Sequence, residues 1–418
     1  FRFQHRNYET AVRGKKENMN FHPSYQSKPF DVELTFSKIA LQRKKQRRPY
    51  RGSDSQLYIF IWPLIYIVKI FGFGPYKFSK DRLAPSNFYL IFSFVCLSIY
   101  SYVMYTVFRK FTGLKRDRPV LGATESAKVV VNFSVAVYDT ALTILTKSKF
   151  VAIWNTLQDF DETVARLGYS RKETRTAFVT WAFVMIQTLI WTAVNQVGMY
   201  AFLEKWVYNV GYMSPYIGTS VSVYKFAGIT YFLGRRFQHL NEIAVKNLPP
   251  MTGRKHFTNV TKMTVQKLHN DLMVASESLS SMYSWSLFLW LGNLCIHTVS
   301  NLYFVIDWIL LSTWEHIQWP LIFCLCAWLM AFVTQLLTLH VVCDYTATQA
   351  NSMAAILVDW NLRLIKGDPV NGFVETSLHL MNRRLCFSAA GCFDVCLPLL
   401  RSIVALLTTY LVILLQLP

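Results

Sequence analysis

The chain has 418 residues, 53% of them hydrophobic, and a mean hydropathy of +0.25, where soluble proteins run nearer about 45–50% apolar with glycine counted. Only 16% of residues are charged, yet 43 Lys+Arg against 24 Asp+Glu leave a net charge of +19. Disorder, collagen and a small disulfide scaffold are thereby excluded; the chain reads as a membrane protein whose basic excess orients it in the bilayer rather than binding nucleic acid.

Residues 1–56 form a basic tail with 13 Lys+Arg, including Arg43, Lys44, Lys45, Arg47 and Arg48, and no sustained apolar period. It reads as a solvated cytosolic tail, with anionic lipid as the alternative contact. The chain opens at Phe1 in polar, basic sequence, so no signal peptide is expected there. Residues 57–87 are hydrophobic at first, but Pro63 and Lys69 interrupt the run and Gly72, Gly74 and Pro75 end it. This segment reads as interfacial or re-entrant.

Crossing a core about 30 Å thick takes about 20 apolar residues. The runs 88–108, 177–203 and 319–341 meet this with no Asp, Glu, Lys or Arg. Four more carry an ionisable group or two: 126–146 (Lys128, Asp139), 208–234 (Lys225), 282–311 (Asp307) and 395–417 (Arg401). With these seven spans and a cytosolic N-terminus, the inner segments hold 34 Lys+Arg and the outer ones 6, as the positive-inside rule asks. Counting 57–76 as an eighth span abolishes that bias. The expected fold is therefore an all-α polytopic membrane protein, multi-pass in the plasma membrane. It has seven transmembrane helices, a cytosolic N-terminus and an extracellular C-terminus, the reverse of G-protein-coupled receptors.

Two cytosolic stretches, 235–281 and 342–394, carry helical periodicity. Leu268, Leu272, Ala275 and Leu279 share a face, as do Met353, Ile356, Leu357, Trp360 and Leu364, and again Val374, Leu378, Met381 and Leu385. Three amphipathic helices are expected, packing on one another or on partner subunits as an anchor bundle.

Polar groups inside a bilayer are expensive and mark functional positions. The outward halves of the spans offer Asn132; Trp191, Asn195 and Gln196; Tyr216, Thr219 and Tyr224; His297, Asn301, Tyr303, Asp307 and Trp308; and Trp319 and Trp328. Amides and hydroxyls beside flat rings suit a neutral polyol, whose C–H face a ring covers while polar neighbours take its hydroxyls. Interhelical hydrogen bonds and an interfacial aromatic belt are the competing roles. In the last span Ser402, Thr409 and Gln416 recur every seven residues along one face. Repeated around an oligomer, that stripe would line a pore, with Val412 or Ile413 as an apolar constriction. Otherwise the face packs on its neighbours and the hydroxyls bond back to their own helix.

No catalytic constellation is present: there is no HExxH, Walker loop or GxSxG. None of the eight cysteines falls in a plausible outer loop, and Cys324 and Cys326 lie inside an apolar run, so neither a disulfide framework nor a metal site or cofactor is expected.

The C-terminal stretch Thr409, Tyr410, LVILL, Gln416 resembles the insect gustatory receptor family, whose last span ends in Thr-Tyr, five apolar residues and Gln-Phe. Here Leu417 stands in place of Phe. YFLGRRFQHLN at 231–241 and FSAAGCFDVC at 387–396 look like the same family, and most like its sugar-receptor branch and the fructose-sensing members. The resemblance implies a homotetrameric, ligand-gated, non-selective channel for monovalent and divalent cations. Gln416 would line the pore near its outer end, with Thr409 and Tyr410 on the same span and Leu417 at the mouth. Each subunit would hold an outward-facing sugar pocket, and the cytosolic helices would meet in the anchor. The alternative is a carrier that moves a small polar solute by alternating access, pairing Asp139 or Asp307 with the solute or a proton.

Overall fold

Pro63 does not break the first helix. In the computed structural model, which describes residues 56–79, 82–112, 119–171, 173–202, 206–250, 260–311, 319–365 and 383–416, α1 runs Gln56–Ile70 straight through it. Ile61, Ile65 and Val68 are buried on one face while Trp62, Tyr66 and Ile70 are exposed on the other. The helix ends at Gly72, whose φ of 81° is in the left-handed region, where a side chain would also strike Cys96. An antiparallel hairpin of β1 (Tyr76–Ser79) and β2 (Arg82–Pro85) follows, pairing Tyr76 with Pro85.

The long helices come next: α2 (Asn87–Thr112), α3 (Pro119–Leu145), α4 (Lys147–Arg166), α5 (Thr174–Phe202), α6 (Trp206–Lys246), α7 (Lys262–Leu311) and α8 (Trp319–Ile365). A second small hairpin, β3 (Ser388–Ala389) with β4 (Phe393–Asp394), leads into α9 (Leu397–Gln416). Among the described residues five helices are long and apolar enough to cross a membrane, namely α2, α3, α5, α7 and α8. The chain is thus a multi-pass membrane protein, all-α apart from the two hairpins. In α6, buried Thr219, Ser220, Lys225 and Thr230 lower the apolar content; in α9 the apolar stretch Leu397–Ile413 is shorter.

Three features differ from the sequence reading or add to it. Helix α4 occupies what reads as a plain loop; its buried face of Phe150, Ile153, Trp154, Leu157, Phe160 and Val164 has the 3–4 spacing of an amphipathic helix. The first two amphipathic stripes are not separate helices. They are continuations of α7 and α8, because α7 has no proline and only Gly292, and α8 has no glycine and its one proline, Pro320, in the first turn, where proline is tolerated. These stripes cover one another within the chain: Leu268, Leu272 and Leu279 share one core with Met353, Leu357 and Trp360. His269 Nε2 lies 3.0 Å from the Ala350 carbonyl oxygen across that seam. Of the third stripe, Val374, Leu378 and Met381 lie outside the described residues, and Leu385 is buried in the extended segment before β3. The basic tail to residue 55 is outside them as well.

Helix α8 is the centre, packed on α5, α6 and α7. Gly234 allows its close crossing with α6, since a Cβ there would lie 2.6 Å from Thr346 Oγ1 and 2.8 Å from the Tyr345 ring. Two residues on, the fully buried Arg236 bonds Asp161 of α4 at 2.5 Å and lies 3.8 Å from Glu173, which also pairs with Arg171 at 3.2 Å. Burial, then the neighbouring Arg236 charge, brings the Arg171 guanidinium down to about 10, so Arg171 itself stays charged at neutral pH. These ionic contacts fix α4 and the start of α5 against the end of α6. All eight cysteines are free.

Candidate ligand-binding site

On α7, Asn293, His297 and Asn301 are spaced by four and lie near one face; on α8, Trp328 and Phe332 do the same. The two faces meet α6 at Tyr216. The His297 ring lies flat on Phe332, centroids 4.3 Å apart, and Tyr216 sets its edge against His297 at 5.5 Å and Trp328 at 4.8 Å. Trp191 of α5 meets Trp328 edge-on at 5.6 Å, and Phe133 of α3 meets Tyr216 at 5.8 Å. Five helices thus contribute to one aromatic box.

Amides border the box. Asn293 Nδ2 donates to Asn132 Oδ1 at 3.0 Å, and Lys128 Nζ to Asn301 Oδ1 at 3.4 Å. Asn132 Nδ2, Asn293 Oδ1, His297 Nε2, Asn301 Nδ2, Thr298 Oγ1 and Trp191 Nε1 are buried and have no hydrogen-bond partner among the described residues. A buried polar atom left unpaired costs about 1–3 kcal/mol, and such atoms are scarce in folded proteins. Their gathering beside one aromatic cluster suits a ligand that brings its own hydroxyls.

The structure brings Asn132, Trp191, Tyr216, His297, Asn301 and Trp328 of the sequence candidates together. Others lie apart. Asn195 accepts from Asn209 Nδ2 at 2.9 Å, and Gln196 and Trp319 are exposed. Thr219 bonds back to Pro215 at 3.0 Å, and Tyr224 packs edge-on against Phe183 at 4.7 Å. Tyr303, Asp307 and Trp308 are half-buried near the end of α7. Sequence reading missed Asn293 and Phe332, although each lies one turn from a residue it singled out. Asp139, a charge that a carrier would use, is buried and already accepts from Ser286 and Trp290.

Helix α9 packs on α7 and α8, with Ile403 in the core and Leu399, Leu400 and Leu407 packed against it, while Ser402, Thr409, Val412, Ile413 and Gln416 are exposed on the rest of its surface. Ser402 and Thr409 bond back to Pro398 and Ala405 at 3.5 and 3.0 Å. Leu417 lies outside the described residues. The segment before α9 is stitched along α7. Arg383 grips Glu277 with two hydrogen bonds of 2.5 and 2.8 Å, Ser280 Oγ donates to the Cys386 carbonyl at 3.3 Å, and Ser284 Oγ to that of Ser388 at 3.0 Å. The Glu277 carboxylate holds the Arg383 guanidinium above its ordinary value. From α8, Asp344 accepts from the Leu397 backbone at 3.3 Å, at the first residue of α9.

Compared with known families, residues 62–417 match the one described as 7tm chemosensory receptor. The chain belongs to that family. No curated protein matches the receptor significantly in sequence. Among solved structures it is similar to the insect olfactory receptor OR5 from Machilis hrabei, with 13% identity and a TM-score of 0.59 over 86% of this chain and 98% of that one. It is equally similar to that receptor in complex with eugenol, with 13% identity and a TM-score of 0.60 over the same shares. These similarities establish the fold. The family is one of receptors rather than enzymes, consistent with a place for this receptor in the plasma membrane.

Proposed function

We propose that the receptor is a cation channel opened by a small polyhydroxy ligand, a sugar such as fructose, that binds in the aromatic box. The observation that carries this reading is the set of buried amide, imidazole and indole atoms around His297 and Tyr216 that lack a hydrogen-bond partner among the described residues. The fold it shares is that of a receptor seen with eugenol, a largely apolar phenol; the amide border here favours a more hydroxylated guest. In this reading α2, α3, α5, α6, α7, α8 and α9 are seven spans, the N-terminus is cytosolic, and four copies of α9 surround a pore. The outward-turned stripe of Ser402, Thr409 and Gln416 supports that role for α9.

Helix α7 carries both His297 and the seam that holds the segment before α9. Ligand binding that favours one position of α7 over another shifts α9 between closed and open arrangements, provided the open state binds better.

The test is patch-clamp recording from cells expressing the chain alone, with a panel of sugars applied outside. A cation current to one hexose and not its epimers supports the reading, and Gln416→Ala should then alter relative permeabilities at unchanged sugar sensitivity. Silence at full surface expression, with saturable uptake of labelled sugar, would replace it with the carrier.

A further inference from the structure

His269 sits in the seam between α7 and α8, roughly 20 Å along α7 before the start of the 282–311 span at the helical rise. It is 4% exposed. Three elements close on its ring. Helix α8 meets it with the Ala350 carbonyl, 3.0 Å from Nε2; α6 with the edge of Phe237, centroids 5.5 Å apart; and the segment before β3 with the charge of Arg383.

A carbonyl oxygen only accepts, so Nε2 carries a hydrogen, and in the neutral ring Nδ1 is then bare. Nδ1 is buried and has no hydrogen-bond partner among the described residues. A proton added there would make a second N–H with no acceptor, beside a guanidinium, and leaving a buried donor unpaired is costly, more so when it is charged. Burial lowers the proton affinity of this imidazole most, the Ala350 bond restores part of it and the Arg383 charge lowers it again, leaving it below the ordinary 6.5.

The same seam holds the lead-in to α9. The next residue, Asn270, accepts from Arg383 Nη1 at 2.8 Å, and from there Arg383 reaches Glu277. That carboxylate, two turns further along α7, is occupied by the guanidinium and is not spare to balance a charge on His269. Well above 6.5 the imidazole is neutral whether the seam is packed or open, and pH does not act on it. Below 6.5 an opened His269 takes a proton that the packed one refuses, so packing weakens as pH falls, by up to about tenfold in its equilibrium per pH unit, until the packed ring itself titrates.

We propose that His269 is a cytosolic proton sensor: inner acid pries α7 from α8, loosens the Arg383 hold on the segment leading into α9 and so reduces the current. This rests on the reading that sets this end of α7 in the cytosol and α9 around a pore.

The first measurement is hydrogen exchange on the purified full chain in phosphatidylcholine nanodiscs, from about pH 8 to about pH 5.5, against His269→Gln at each pH. The glutamine amide donates to Ala350 without titrating. Amides of 265–275 and 346–356 should exchange at a constant ratio, wild type to variant, down to about pH 6.5, and below it faster in the wild type by up to about tenfold per pH unit. If the variant fails to fold, wild-type protection at the seam, corrected for intrinsic exchange and referred to amides of the β1–β2 hairpin, should fall over the same window. In inside-out patches, lowering the inner pH from about 7.4 to about 6 should cut sugar-evoked current several-fold in the wild type and less than twofold in His269→Gln. The exchange result stands whether or not any sugar opens the channel, so failure of the sensor and failure of the channel reading are told apart. Seam protection with the same pH course in wild type and His269→Gln would overturn the proposal, and so would a sugar-evoked current indifferent to inner acid.

Discussion

The Trp290 indole Nε1 donates to one oxygen of the Asp139 carboxylate at 2.6 Å, and Ser286 Oγ, one turn earlier on α7, donates to the other at 2.9 Å. All three residues are at most 1% exposed. A carboxylate from α3 is thereby clamped to α7 deep in the bundle, where an unpaired donor is most costly. Asp139→Leu should therefore destabilise the receptor by about 1–3 kcal/mol for each donor left unpaired, and Asp139→Asn, which keeps an acceptor, by less. Thermal unfolding of the purified protein, followed by size-exclusion chromatography, reads the order directly; equal midpoints for wild type and Asp139→Leu would refute the clamp.

Trp328 touches Tyr216, Trp191 and Phe332 at once. Such ring pairs contribute about 0.5–1.5 kcal/mol each beyond their buried area. Trp328→Ala should raise the sugar concentration for half-maximal current by roughly tenfold or more, since 1.4 kcal/mol is a tenfold change, with surface expression retained. Asn195→Ala, outside the box, should leave that concentration within twofold. Dose-response recordings on both variants test the placement of the pocket, and equal sensitivity would count against it.

Arg383 and Glu277 hold the segment before α9 to α7 through two hydrogen bonds. Their side chains are about a third exposed, so the ion pair itself adds little stability, and the variant is expected to fold. Arg383→Ala should reduce maximal current several-fold while sugar binding, measured with labelled ligand, stays within twofold. Exchanging the pair, Arg383→Glu with Glu277→Arg, should recover part of the current. Loss of binding and current in parallel would mean that the contact serves only folding.

Much of this architecture is legible in the chain because the spans announce themselves by length and polarity. The stretch YFLGRRFQHLN is legible as a motif before its reasons are known. Gly234 is a crossing point, Arg236 is the hub of an ion cluster, and Asn241 donates to the Gln349 carbonyl and Ser352 Oγ at 2.8 Å. FSAAGCFDVC likewise encodes a turn, with Ala390 and Gly391 at φ of 52° and 74°. Helix α4 escaped because its mixed composition resembles a solvated loop until the apolar spacing is traced. Asn293 and Phe332 escaped because polarity and depth alone do not reveal which ring or amide a residue meets across a helix interface. That information is three-dimensional, and one sequence does not contain it in readable form.

The 50 residues of α7 amount to a rod of about 75 Å at 1.5 Å per residue, more than twice the thickness of a hydrocarbon core of about 30 Å. A stiff rod of that length acts as a lever. Pivoting by about 5° at one end sweeps the other through roughly 6 Å, more than one helical turn of travel. Adjustments too small to see at a ring stack would thus become gross rearrangements among the residues beyond the bilayer.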